Sequence, residues 1–232
     1  MSTRRERQTL LIDADDTLWE TNLRFERTLA AFYELLLPLG YSKEYVLGEV
    51  DLAERARIPH GGYGEGKFLV TLEEVYRRLA GPRVDENCVE QIRALSRLLH
   101  EAPLRILDGV RETLAYLAPR HNLLMFTKGD AEEQASKVEA SGLEDYFALR
   151  EIVPEKNEEA YRALVERDRL NPAEVWMVGD SPRSDINPAL AVGLNAVYIP
   201  SAHKWEYEHE DIRPGNGRLL ILESFRELRV HF

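Results

Sequence analysis

Short apolar runs that alternate with helical patterns are the feature that most restricts the fold of this chain. Six such runs have the character of strands, at residues 10–14, 123–127, 151–153, 175–179, 196–199 and 219–222. Four helical patterns lie between them, at residues 110–117, 131–141, 158–169 and 185–192. Several of the runs are continuously apolar, as expected for strands buried on both faces of a sheet. From about residue 104 onward this alternation predicts an α/β fold with a doubly wound parallel sheet.

Residues 19–102 follow a different pattern, with apolar residues at helical spacing and no predicted strand. These apolar residues are Phe25, Leu29, Phe32 and Leu36, then Phe68, Leu72, Val75 and Leu79, and then Val89, Ile92, Leu95 and Leu99. The first strand precedes this stretch and the other strands follow it. We therefore predict an α/β core of residues 1–18 and 103–232, with an α-helical cap of residues 19–102 inserted into it. Hinges are expected near Glu20 and Pro103.

Charge and composition argue against several classes of partner. The chain has 30 Lys and Arg residues and 41 Asp and Glu residues, which gives a net charge of −11. Such a charge repels the phosphate backbone of nucleic acids. No stretch of about 18 apolar residues occurs, so we expect no membrane span, and the first apolar run is too short for a signal peptide. The single cysteine, Cys88, favours a reducing compartment and hence a cytoplasmic location. The sequence indicates no oligomeric state.

Acidic residues follow the first predicted strand, in the segment Asp13-Ala14-Asp15-Asp16-Thr17. In open α/β sheets, ligands bind at the carboxyl ends of the strands. An extended chain would place Asp13 and Asp15 on one face, about 7 Å apart, with Asp16 pointing away. A carboxylate beside a divalent cation can accept a phosphoryl group, and a second one can transfer protons. The alternative is a turn with solvated aspartates.

Two further segments carry candidate phosphate ligands. Thr127 ends a strand and is followed by Lys128, Gly129 and a helix that we expect Asp130 to cap, so a hydroxyl and free amides would form a phosphate cradle. Lys156 precedes another predicted helix and could hold a carboxylate and a phosphate together by charge-assisted hydrogen bonds. Without the acidic motif, Thr127 and Gly129 would be equally compatible with a simple strand end and a turn. Lys156 alone would be an ordinary solvated loop lysine.

A second buried strand also ends in acidic residues. Asp180 follows it directly, and Asp185 lies five residues later, so both could serve as hard oxygen ligands for Mg²⁺. Asp185 could equally stabilise the dipole of the helix whose first turn it occupies, or support the metal ligands without binding the ion itself.

These segments, Asp13-x-Asp15-x-Thr17, Thr127, Lys156 and Gly179-Asp180-x4-Asp185, have the order and spacing found in the haloacid dehalogenase superfamily. The resemblance covers essentially the whole chain. It implies a Rossmann-like core with a helical cap inserted directly after the first motif, in agreement with the domain prediction above. Caps of this size in the family close over small substrates, which implies a small phosphorylated metabolite as the substrate.

The resemblance also implies roles for individual residues. Asp13 is similar to the nucleophile and to a Mg²⁺ ligand, and Asp15 to the general acid and base, with its backbone carbonyl on the metal. Thr127 and Lys156 resemble the phosphate-binding pair, and Asp180 the remaining carboxylate ligand, with Asp185 nearby. Dehalogenases of the superfamily lack an acid at the position of Asp15, which favours phosphoryl transfer over carbon–halogen cleavage.

Two positions depart from the family pattern. Lys128 stands where relatives often carry a small polar residue, and it would either add positive charge beside the phosphate or point to solvent. Lys156 lacks the proline that often follows it in the family.

We therefore predict a Mg²⁺-dependent phosphatase that acts through an aspartyl-phosphate. A phosphomutase of the same superfamily and a non-catalytic sensor of a phosphorylated ligand remain alternatives. Two segments stay open between roles in ligand binding and in the scaffold. Residues 60–67 carry His60, Tyr63 and Lys67 among glycines, and residues 201–206 carry His203 and Trp205. For the second segment we favour a surface loop with Trp205 packed beneath it.

Overall fold

The computed structural model describes residues 7–100, 104–203 and 205–232. The chain divides into two compact units, of which one comprises Met1–Glu20 with Leu104–Phe232 and the other comprises Thr21–Pro103. They are termed the α/β unit and the helical unit.

The described residues form six strands and ten α-helices, numbered here in chain order. The strands are β1 (Thr9–Ile12), β2 (Asn122–Lys128), β3 (Leu149–Val153), β4 (Val175–Gly179), β5 (Asn195–Tyr198) and β6 (Leu219–Ile221). The helices are α1 (Asn22–Leu36), α2 (Lys43–Gly61), α3 (Glu65–Ala80), α4 (Glu86–Ala94), α5 (Ser96–His100), α6 (Val110–Leu117), α7 (Ala131–Ser141), α8 (Glu158–Arg167), α9 (Asn187–Ala191) and α10 (Leu228–His231).

The α/β unit is built on one six-stranded sheet in the order β3-β2-β1-β4-β5-β6. Every neighbouring pair in it is parallel, which confirms the predicted α/β fold with a doubly wound parallel sheet. From β1 the chain proceeds outward to β2 and β3 on one side of the sheet. It then returns to β4, beside β1, and proceeds to β5 and β6 on the other side. The strand order thus reverses between β1 and β4, and at such a point the connections diverge and leave a crevice at the carboxyl ends.

The two faces of the sheet bury alternate residues of the same strand. In β1, Leu10 and Ile12 pack in one apolar cluster with residues of α6 and α7, whereas Leu11 packs in another with residues of α8 and α9. All three side chains are fully buried. Because β1 is covered on both faces, a continuous apolar run is the pattern that this strand requires.

The boundary after β1 lies slightly further along the chain than predicted. Trp19 and Glu20 belong to the α/β unit, although the cap was expected to begin at residue 19. Trp19 is fully buried and forms an antiparallel bridge with Ile106, and the amide of Glu20 donates to the carbonyl of Arg105. Two chain segments are therefore paired at this edge of the unit. The predicted hinge near Pro103 lies outside the described residues.

The helical unit contains α1 to α5, with one apolar core of its own. That core includes the predicted residues Phe32, Leu36, Phe68, Leu72, Val75, Leu79, Val89, Ile92 and Leu99. Helix α2 continues to Gly61 and α3 begins at Glu65, so only residues 62–64 of the open segment 60–67 form a connector. Among the helices of the described residues, none combines the length and apolar character needed to span a bilayer.

The helix predicted at residues 185–192 is divided in the structure. A π-helical turn at Pro182–Ile186 comes first, with the amide of Ile186 donating to the carbonyl of Ser181, and α9 follows. Gly193 has a φ of +88° after the end of α9, as expected for a glycine that terminates a helix. The turn brings Asp185 back toward the end of β4.

Candidate active site

Three carboxylates meet at the point where the strand order reverses. Asp13 follows β1 and Asp180 follows β4, and the amide of Asp13 donates to the carbonyl of Val178 at 2.9 Å, which ties the two strand ends together. Asp185 comes from the π-helical turn. One oxygen of each of the three carboxylates lies within 4.8 Å of the others.

Lys156 provides positive charge at the centre of this cluster. Its Nζ donates to Oδ1 of Asp13 and to Oδ1 of Asp185, at 2.5 Å in each case, and only 3% of the residue is exposed. The side chain of Asn157 accepts a hydrogen bond from the amide of Ala160, which fixes the start of α8 directly after the lysine. The alternative of a solvated loop lysine is therefore wrong.

The electrostatics of the cluster are dominated by burial. Burial raises the pKa of Asp13 to about 7, against the opposing effect of Lys156 and with a further increase from Asp185. Burial also raises the pKa of Asp180 well above its ordinary value, and the charges of Asp13 and Asp185 add to that effect. For Lys156, burial lowers the pKa, but the two carboxylates outweigh it, and the pKa lies well above the ordinary value.

Asp185 is held from both sides. Its Oδ1 accepts from Lys156, and its Oδ2 accepts from the amide of Ser181 at 3.0 Å, with no exposed surface on the residue. A Cβ at position 179 would lie 2.1 Å from Oδ2 of Asp185, so Gly179 is required for this close approach. Asp185 is therefore a buried, ion-paired group, although it also lies in the first turn of the π-helical segment.

Asp15 lies to one side of the cluster in a shell of donors. Its carboxylate accepts hydrogen bonds from the Nε1 of Trp19, the Nε2 of Gln134 and the Nζ of Lys137. Its neighbour Asp16 adopts a φ of +58°, so the chain is no longer extended there. The expectation that Asp16 points away is wrong, since it is 7% exposed and its charge contributes to the raised pKa of Asp180.

The end of β2 differs from the expected phosphate cradle in one respect. Thr127 is 1% exposed, beside Ile152 of the next strand. The amide of Gly129 donates to the carbonyl of Val153 at 3.0 Å, and the predicted cap residue Asp130 accepts from the amides of Glu132 and Glu133. These three amides are occupied within the protein and are not free donors, because the chain uses them to close the loop and begin α7.

Lys128 neither points to solvent nor stands alone beside the site. Its Nζ donates to Oε1 of Glu208 at 2.5 Å and to Oγ of Ser184 at 2.6 Å. Oε2 of Glu208 also accepts from the hydroxyls of Ser181, at 2.6 Å, and Ser184, at 2.5 Å. Burial raises the pKa of Glu208, but Lys128 and these hydroxyls outweigh it, and the pKa lies below the ordinary value.

Glu208 thus joins the last residue of β2 to the segment after β4, and sequence reasoning missed it. It lies in a short 3₁₀ segment, Glu206–Glu208, whose Tyr207 stacks on Trp205 with ring centroids 5.1 Å apart. The contact between Trp205 and Tyr207 agrees with the scaffold interpretation of residues 201–206, of which residue 204 lies outside the described residues. No periodic pattern in this irregular stretch singles out Glu208.

The donor set at the centre of the site fits a magnesium ion. Mg²⁺ prefers hard oxygen ligands and commonly binds one or two carboxylates together with waters and phosphate oxygens. Three carboxylates here face the single ammonium group of Lys156, and the raised pKa values of Asp13 and Asp180 mark an excess of negative charge. A divalent cation would offset that excess.

Known proteins resemble this chain in sequence and in fold. N-acylneuraminate-9-phosphatase of Mus musculus is 27% identical over 129 residues, which are 53% of this chain and 52% of that protein. The chain thus spans about half the length of the curated relatives it matches. A haloacid dehalogenase-like family hydrolase of Xanthomonas campestris is 27% identical, with a TM-score of 0.83 over 97% of this chain and 90% of that one.

A magnesium-bound putative hydrolase of Bacillus subtilis shares the fold, with a TM-score of 0.65 and 18% identity over 98% of this chain and 99% of that one. Residues 8–193 match the family of hydrolases described as haloacid dehalogenase-like. This match includes both strand ends that carry the acidic cluster. The chain therefore belongs to the haloacid dehalogenase-like hydrolase family.

Proposed function

We propose that the protein is a Mg²⁺-dependent phosphatase that hydrolyses a small phosphorylated metabolite through an aspartyl-phosphate on Asp13. The observation that carries this proposal is the ammonium group of Lys156, which bridges Asp13 and Asp185 beside Asp180 at the crevice of the sheet. Burying several carboxylates around one lysine costs free energy. Groups with such perturbed pKa values cluster at functional sites. The name of the curated relatives, a phosphatase, supports the same activity.

In the first step, an oxygen of Asp13 attacks phosphorus, and the bond from phosphorus to the ester oxygen breaks. Asp15, acting as the general acid, gives its proton to the departing ester oxygen. In the second step, Asp15 takes a proton from water, whose oxygen attacks the same phosphorus and releases phosphate. Asp13 is thereby regenerated, and Asp15 is again protonated for the next cycle.

The other residues hold the reacting groups. Lys156 keeps Asp13 oriented and, with the hydroxyl of Thr127, binds the phosphoryl oxygens. The amide of Gly129 donates to Val153, so we do not assign it to the phosphate. Asp13, Asp180 and the backbone carbonyl of Asp15 would hold Mg²⁺, which supplies positive charge between the carboxylates and the phosphate dianion. Both oxygens of Asp185 already accept hydrogen bonds, so we assign this residue to orienting Lys156 rather than to the metal.

The substrate class is a sugar phosphate or a related small phospho-acid. Three mammalian relatives are named N-acylneuraminate-9-phosphatase, so the phosphate ester of an acidic sugar is the first substrate to test. Nucleoside monophosphates and phosphoglycolate-like acids complete the panel. The cytoplasmic location stays a prediction that rests on the single Cys88.

The test is phosphate release from this panel with Mg²⁺, by the wild type and by Asp13→Asn. Release by the wild type alone, with loss of activity in chelator, supports the proposal. Comparable release by a folded Asp13→Asn protein would exclude Asp13 as the nucleophile. If the folded wild type transfers phosphate between sugar positions without releasing it, the protein is a mutase, and binding without turnover indicates a sensor.

A further inference from the structure

We propose that Gln134 and Lys137 of α7 are positioning residues that hold the carboxyl group of Asp15 in place, so that its protonated form can donate to the leaving group. This inference rests on the proposed phosphatase function, since it concerns the residue assigned there as the general acid. Neither side chain belongs to the motifs that identify the family.

The contacts to Asp15 restrain both carboxylate oxygens. Nε2 of Gln134 donates to Oδ2 at 2.7 Å, and Nζ of Lys137 lies 3.1 Å from both oxygens. Nε1 of Trp19 donates to Oδ1 at 2.8 Å. The ion pair is largely desolvated, since the side chains of Lys137 and Asp15 are 15% and 26% exposed. Charge-assisted bonds of this kind fix geometry more firmly than those of a solvated pair.

Helix α7 presents both donors because of its spacing and its fixed start. Residues 134 and 137 are three positions apart and share one face of the helix. The side chain of Asp130 caps the helix, which sets the position of that face relative to the end of β2. A helix that begins one residue earlier or later would turn both side chains away from Asp15.

Gln134 also connects Asp15 to the last residue of β2. Its Nε2 donates to the carbonyl of Lys128 at 2.9 Å, in addition to the carboxylate, so two acceptors determine the orientation of the amide. Gln134 is 4% exposed, and a Cβ at position 129 would lie 2.9 Å from its Nε2, so Gly129 leaves room for it. One buried amide therefore links the position of the proton donor to the loop beside Thr127.

Proton transfer to the leaving group depends on where the carboxyl group of Asp15 is held. Asp15 must be within hydrogen-bond reach of the departing ester oxygen, about 2.6–3.2 Å, while Asp13 is in line with phosphorus. A carboxyl group that is free to rotate would lie within this distance of the ester oxygen in only some of its conformations. A general acid matters most for a poor leaving group, which departs as a strongly basic oxygen, and least for a good one such as 4-nitrophenolate.

This difference provides the test. We would measure kcat/KM with Mg²⁺ for phenyl phosphate and 4-nitrophenyl phosphate, using the wild type, Lys137→Met and Gln134→Met. Ser136→Ala, at an exposed position of the same helix, is the control, and Lys137→Arg retains a cationic donor. Each methionine variant should lose about tenfold or more with phenyl phosphate and less than about threefold with 4-nitrophenyl phosphate. Lys137→Arg should recover part of the loss.

Equal losses with the two esters would overturn the proposal, because they would indicate a general disturbance of the site. So would wild-type kinetics in both methionine variants. Silence of the wild type toward both esters and the substrate panel would instead contradict the proposed function.

A second measurement, of stability rather than activity, tests whether Lys137 holds Asp15. Urea unfolding of Asp15→Asn, Lys137→Met and the double variant should show that the two substitutions are not additive. Additive effects would overturn the claim that Lys137 holds Asp15.

Discussion

Asp13→Asn should remove activity and yet stabilise the metal-free protein above neutral pH. The pKa of Asp13 lies at about 7 in the folded protein, against an ordinary value of 3.8. Between these two pH values the folded protein binds a proton that the unfolded protein does not. The free energy of unfolding therefore falls as the pH rises through this window. The difference of about 3 in pKa corresponds to about 4 kcal/mol of lost stability once Asp13 is fully ionised.

An asparagine at this position is neutral at every pH and does not carry that cost. For a chain of this size, 1 kcal/mol shifts Tm by about 2–4 °C, so the variant should gain roughly 8–16 °C at about pH 8 in chelator. At about pH 5, inside the window between the two pKa values, the gap should shrink to roughly 2 kcal/mol, and wild type and variant should coincide only below about pH 3.8. Differential scanning calorimetry at both pH values provides the test, with the exposed Asp145→Asn as the control for a loss of one negative charge.

Parallel Tm profiles for the wild type and Asp13→Asn would refute the reasoning, as would a lower Tm for the variant at about pH 8. Added Mg²⁺ should raise the Tm of the wild type, by about 2.7 kcal/mol of stabilisation at 100 times its Kd. The variant should gain less, because it lacks one of the proposed ligands.

Three other substitutions test separate parts of the site. Lys156→Met leaves two buried carboxylates without their cation, and urea unfolding in chelator should show a loss of about 3–5 kcal/mol; an unchanged midpoint would contradict the ion pairs. Gly179→Ala places a Cβ 2.1 Å from Oδ2 of Asp185, so this carboxylate must move away from Lys156 and the variant should unfold at a lower urea concentration; an unchanged midpoint would exclude this steric requirement. Glu208→Ala leaves Lys128 without its carboxylate partner and should cost about 1–3 kcal/mol, with a smaller cost for Glu208→Gln; equal stability of all three proteins would assign the contact no energetic role.

The sequence predicted the parts of the site that depend on strand ends. In a parallel sheet all carboxyl ends lie at one edge, so the residues after β1, β2 and β4 must come near each other whatever the details of packing. Asp13 and Asp180 occupy such positions, and Thr127 is the penultimate residue of β2. Lys156, which was predicted from its place before a helix, follows the end of β3 by three residues and reaches two carboxylates at the same edge of the sheet.

Residues outside the strand ends could not be found in this way. In the sequence, Gln134 and Lys137 look like ordinary polar residues of an amphipathic helix. Their spacing of three places them on one face but does not indicate what that face contacts. Glu208 lies in a short 3₁₀ segment, and its partners Lys128 and Ser184, in β2 and in the π-helical turn, are 80 and 24 residues away in the chain. The occupied amide of Gly129 depends on the carbonyl of Val153, which no local pattern reveals.

The covalent intermediate on Asp13 is the central claim, and its direct measurement is acid quenching of the protein during turnover followed by mass spectrometry of its peptides. Asp15→Asn should accumulate the phosphoenzyme, because water attack is slow without the general base. The account predicts one added phosphoryl group on Asp13 in that variant, and none in a protein that also carries Asp13→Asn. Phosphate release with no covalent phosphate on the protein, or with the phosphate on another residue, would contradict it.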